Sequence, residues 1–92
     1  MVPSAEADFD FLRGYDRSRL RDAIAAQLVH EPTKLTRHRK LLAINPVATW
    51  ELRVGDLRIL YDVDDAARVV LITAIGRKVH DKLVIRGEVL DL

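Results

Sequence analysis

The sequence predicts an α+β domain in which two N-terminal helices pack on a small antiparallel sheet of three to four strands. Three observations predict it. Apolar residues recur at helical spacing through the first third of the chain, a two-residue turn joins two β-rich runs at residues 49–61, and a nearly continuous apolar run follows at residues 68–75. Ninety-two residues make one domain over residues 1–92, with a core large enough to fold alone and little stability to spare.

Ser4 is placed to cap a first helix in which Ala5, Phe9 and Leu12 share a face, with Gly14 as its stop. Asp16 opens a second helix, where Leu20, Ala23, Ile24 and Leu28 form an apolar stripe that ends before Pro32. Arg17 and Arg21 lie one turn apart on its polar side and read as a solvated flank. From residue 31 to 48 periodicity disappears, so this is read as a long connection between the breakers Pro32 and Pro46. It holds Arg37, His38, Arg39 and Lys40. Such a run is ordinarily solvated; its functional reading is contact with a phosphate backbone, with Arg37, Arg39 and Lys40 as the contacts.

Residues 49–61, TWELRVGDLRILY, form the central hairpin around Gly55-Asp56. A two-residue loop sets Val54 against Leu57, Arg53 against Arg58, Leu52 against Ile59 and Trp50 against Tyr61. One face is then wholly apolar, and the other carries Glu51, Arg53, Arg58 and Leu60. Two arginines directly opposed weaken strand pairing unless an anion lies between them, and a phosphate suits two guanidinium forks. After a turn at residues 64–67, pairing Val63 with Arg68 sets Arg58 against Thr73 and carries Arg77 and Lys78 to the same end of the sheet. Four cations are thereby expected to converge there. A short strand at residues 83–85, a turn at Gly87 and a tail with Val89, Leu90 and Leu92 complete the chain.

Composition bounds the function. Hydrophobic content of 49% and charged content of 32% describe a globular protein, and no apolar run approaches the ~20 residues of a membrane span. The start lacks the layout of a secretory signal, so a cytoplasmic location is expected, with no membrane partner. Cysteine is absent, which removes disulfides and thiolate metal sites. His30 and His38 lack the spacing of a metal pair, and no metal or cofactor is assigned. The net charge of +1 hides basic blocks at residues 34–40 and 77–82, the second including Arg77 and Lys82.

The pattern W-x-L-R-x-G-x-x-R-x-x-Y, made by Trp50, Leu52, Arg53, Gly55, Arg58 and Tyr61 and followed by an apolar strand and Gly76-Arg77-Lys78, resembles the RelE/ParE superfamily of toxins from type II toxin-antitoxin pairs. The resemblance covers most of residues 4–86. It implies a RelE-like sheet on two helices, begun in the family by an edge strand that has no counterpart before Ser4. It also implies a cognate antitoxin wrapped over the toxin, with Phe11, Leu90 and Leu92 as contact positions. One branch of the superfamily cleaves mRNA in the ribosome, and another poisons DNA gyrase without being a nuclease. The leading expectation is a ribosome-dependent, metal-independent mRNA endoribonuclease that inhibits translation, its partners being ribosome and mRNA. Its catalytic set is Arg58 and Arg53 on the phosphate, Lys78 as second cation and His80 as acid or base. Glu51 is more simply a salt-bridge partner than a base. The family's aromatic hydroxyl after the second basic position is missing from VHDKLVIRG, which supports the alternative, a gyrase-binding toxin. A third reading is an attenuated member that only binds partners.

Overall fold

The helices of the computed structural model, which describes residues 1–28, 33, 38–45 and 47–90, begin where proline and glycine allow. Helix α1 (Pro3–Phe11) has Pro3 in its first turn, where a missing N–H costs nothing, so Val2 and not Ser4 is the cap residue. Helix α2 (Gly14–Gln27) starts two residues before Asp16, and Gly14 therefore opens the second helix instead of closing the first. Asp16 sits in that first turn, where a carboxylate favours the unpaired N–H groups. Leu20 and Leu28 are buried, and Ala23 and Ile24 pack against the same core. The expected stops at His30 and Pro32, together with Arg37, Pro46 and Leu92, lie outside the described residues.

The sheet corrects the expected three to four strands to six among the described residues. Strands β1 (Arg39–Leu41), β2 (Trp50–Val54), β3 (Leu57–Asp64), β4 (Val69–Val79), β5 (Lys82–Ile85) and β6 (Glu88–Leu90) form an antiparallel meander in chain order. Two local effects hid the extra strands. β1 lies within what reads as a long connection, pairing Lys40 with Glu51, and three residues are too few to show a period. Past Gly76, β4 continues to Val79; β5 contains the strand expected at residues 83–85, and the turn expected at Gly87 folds back a further strand, β6, of only three residues. His80 and Asp81 take φ of 49° and 65°, Arg86 and Gly87 take 49° and 80°, and only the last is a residue that advertises such a turn.

The β2–β3 register is the one a Gly55-Asp56 loop dictates, with Arg53 opposite Arg58 and Trp50 opposite Tyr61. Gly55, at φ 61°, supplies the left-handed first position of that turn. The β3–β4 register differs from expectation. Arg68, left-handed at φ 54°, belongs to the turn, so Val63 meets Val70. A bulge between Leu60 and Tyr61 then adds one residue, and Arg58 opposes Gly76 instead of Thr73.

Both sheet faces are partly covered. The helices lie over Leu52, Leu57, Ile59, Tyr61, Ile72 and Ile75. On the other face Leu42 and Val47 pack on Ala48, Leu60, Ala74 and Leu83. Asn45 shapes that cover: its Oδ1 accepts from the N–H groups of Val47 and Ala48 at 2.8 and 3.0 Å, and its Nδ2 donates to the carbonyls of Ala43 and Ala48 at 2.8 and 2.9 Å. Among the described residues no helix is long and apolar enough to cross a membrane.

Tyr61 stacks on Trp50 with ring centres 6.3 Å apart. Burial pushes its phenol up to about 12, against a smaller downward pull from Arg39. The folded chain thus keeps a proton that the unfolded chain releases near the usual phenol value of about 10. Its stability is whole below about pH 10 and falls as pH climbs toward 12, by about 2–3 kcal/mol. Urea midpoints across this window are expected to drop for the native chain and to stay flatter for Tyr61→Phe; equal slopes would assign the drop to other groups.

Candidate functional site

Strand alternation decides which cations meet at the Gly55-Asp56 end of the sheet. Arg53 and Arg58 are opposed, and Arg58 faces Gly76, so Lys78 two residues on lies on the same, helix-free face. Arg77 is on the opposite face, under α2. The expected group of four is therefore three on one side and one on the other.

Arg58 is turned inward. It is 8% exposed, and its Nη1 donates to the carbonyls of Gly55 at 2.7 Å and Leu57 at 2.8 Å, closing the hairpin turn. Its Nε lies 3.7 Å from Oε1 of Glu51, itself buried, and Lys40 Nζ approaches the same oxygen at 3.8 Å. This carboxylate is what makes the opposed arginines tolerable: it neutralises one of them from the next pair along. Arg53, by contrast, is exposed, and its side chain has no ion-pair or hydrogen-bond partner among the described residues. The same is true of the side chain of Lys78, which is half-buried.

Arg77 is a fastener. It donates to Asp56 at 2.5 Å and to Asp16 at 2.6 Å, tying the first turn of α2 to the hairpin turn and to β4. Asp16 also receives Arg19 at 3.3 Å, and Arg19 reaches the Val54 carbonyl at 3.3 Å. The Lys78 N–H donates to the Asp56 carbonyl at 2.8 Å, which explains how β4 extends past the turn.

The remaining sequence candidates are dispersed. Arg39 is buried and donates to the Gln27 carbonyl at 3.0 Å, linking β1 to the end of α2. Lys40 is exposed on β1 and leans on Glu51; Arg37 lies outside the described residues. His80 occupies the exposed β4–β5 turn, four residues beyond Gly76, or about 13 Å along the strand. Lys82 is exposed at the start of β5.

Sequence reasoning missed Asp8, Asp16, Arg19 and Arg86. Asp8 is 3% exposed; its Oδ2 accepts from the Ile75 N–H at 3.1 Å and its Oδ1 lies 2.7 Å from Arg86 Nε. A signal existed, because Asp8 falls between Ala5 and Leu12 on the apolar face of α1, where an acid must find a partner. Among the described residues no three His, Asp or Glu side chains group as metal ligands do.

The family model described as the ParE toxin of type II toxin-antitoxin system, parDE, matches residues 2–81. The chain belongs to this family. As a ParE-family toxin it is a member of the RelE/ParE superfamily, the toxin of a type II pair, and its partner is a cognate antitoxin. No curated protein and no solved structure matches it. The match ends at Asp81, so β5 and β6 of this ParE-family toxin lie past the matched segment.

Proposed function

We propose that this ParE-family toxin acts by binding a target protein, DNA gyrase being the target its family resemblance implies, and not by cutting mRNA. The observation that carries the reading is the state of Arg58. RNA cleavage asks for cations aimed at the incoming phosphate, with an acid and a base within about 3 Å of the protons they move. The Arg58 guanidinium is buried and bonded to its own turn, with Glu51 beside it. The nearest imidazole after the basic pair, His80, is a long step down the strand. The side chains of Arg53 and Lys78 are left without partners among the described residues on one face, where they suit an acidic protein surface.

Two parallel assays test it. Purified toxin is expected to block supercoiling by gyrase and to leave mRNA uncut in a translating extract. Arg53→Ala with Lys78→Ala is expected to weaken the block by about tenfold, since each exposed charge contributes on the order of 1 kcal/mol or less. Site-specific mRNA cleavage with gyrase untouched would overturn the reading and restore the endoribonuclease.

A further inference from the structure

Resting on the gyrase reading, we infer that Ile44, held out from the helix-free face on the β1–β2 connection, is the anchor by which the chain grips its target protein. It enters an apolar socket with an acidic rim.

Ile44 is the most exposed large apolar side chain among the described residues, at 106% of its reference area where Phe11 reaches 64%. A single exposed aliphatic side chain on a loose loop would be ordinary. This loop is tied at three levels. Its base is closed by the Leu42 N–H, which donates to the Thr49 carbonyl at 2.8 Å, and the Thr49 N–H in turn donates to Asp62 of β3 at 2.7 Å. Its underside is Leu42 and Val47, which flank Ile44 in the chain and pack on Leu60, Ala74 and Leu83. Its crest is held by Asn45, whose amide makes four hydrogen bonds to Ala43, Val47 and Ala48. Both donors and both acceptor positions of that amide are thus spent on the neighbours of Ile44. The isoleucine is presented in a fixed place before any partner arrives, and this removes the ordering cost that a flexible loop meets on binding.

Charge names the occupant. Strand alternation puts Lys40, Arg53 and Lys78 on the face from which the loop rises. Lys40 is exposed, and the side chains of Arg53 and Lys78 are without partners among the described residues. Two acids of this face are already engaged: Glu51 is buried beside Arg58, and Asp62 holds the Thr49 N–H. An aliphatic knob among free cations fits a protein surface on which an apolar socket is ringed by Asp and Glu. Nucleic acid is a poorer match. Its phosphates would take the cations, but single-stranded bases are held by aromatic stacking, and the exposed rings among the described residues, Phe11 and Tyr15, belong to the helices on the other side.

The full-length chain and purified gyrase decide it, read by inhibition of supercoiling and by the kinetics of binding. Ile44→Asp is expected to weaken both by about 30-fold or more, chiefly through faster dissociation, because it sets a carboxylate in an apolar socket ringed by its own sign. Ile44→Leu should stay within about threefold. Neither change touches the core, so urea midpoints should not move. Asn45→Ala is expected to cost about tenfold with Ile44 in place and nothing further in an Ile44→Ala background, since a positioning residue acts only through what it positions. Leu71→Asp, exposed beside Asp62 toward the other end of the same face, is the control and should inhibit as the native chain does. An Ile44→Asp chain that inhibits gyrase as the native one does would overturn the inference and leave the gyrase reading standing; if that chain also lost antitoxin binding or self-association, Ile44 would belong to that contact instead. A native chain without effect on gyrase would sink both.

Discussion

Replacing Arg58 by alanine is expected to cost about 3–5 kcal/mol of stability, the range for removing one partner of a buried ion pair, here one whose guanidinium also donates to two turn carbonyls. The loss has two parts. The carbonyls of Gly55 and Leu57 lose the donor that closes the turn, and Glu51, 3% exposed, is left buried with the largely exposed Lys40 as its one remaining cation among the described residues. Arg53→Ala, across the same rung, should change stability by no more than about 0.5 kcal/mol, because that side chain is exposed and unpartnered among the described residues. Arg58→Lys should rescue little, since one ammonium on a flexible stem cannot reproduce the planar fork. Urea unfolding of the three variants measures all of this. Equal stability of Arg53→Ala and Arg58→Ala would mean that Arg58 is free in solution to meet a phosphate, and the proposal of a non-nucleolytic toxin would lose its support.

Gly76→Ala is the second large effect. A Cβ built there lies 2.5 Å from the Val84 carbonyl oxygen and 2.8 Å from Ile85 Cγ1. The first is backbone and cannot swing aside, so β4 and β5 must part where Arg77 pairs with Val84. A cost of at least about 3 kcal/mol is expected, together with lost amide protection along β5 and β6. Gly87→Ala makes the contrast: nothing lies within 4 Å of its Cβ, so only the left-handed conformation is charged, at about 1–2 kcal/mol. A Gly76→Ala chain as stable as the native one would show that β4 and β5 do not approach this closely in solution.

What was legible in the amino-acid string were features whose causes are local. A glycine followed by aspartate between two apolar runs dictates both the bend and the β2–β3 register, since two-residue loops admit one pairing. The apolar stripe of α2 and the continuous run of β4 announced a helix-on-sheet core in the same way. Short elements stayed hidden: β1 and β6 have three residues each, and the turn built on His80-Asp81 carries little of the usual turn chemistry, whereas Gly87 marked its own. The β3–β4 register escaped because the turn takes in Arg68 and a bulge adds one more residue, neither leaving a mark on composition.

The candidate site divides along the same line. By itself the sequence determined that Arg53 and Arg58 are neighbours and that basic residues arrive at the same end of the sheet. Only the tertiary structure decided what each cation does there. Arg58 is captured within its own hairpin, by Glu51 and the turn carbonyls, but the other two depend on residues distant in the chain: Asp16 of α2 captures Arg77, and Asp8 of α1 captures Arg86. The reason is that charge carries no periodicity. A hydrophobic pattern tells a residue which way to point, but a charged side chain is aimed by the partner that burial places beside it.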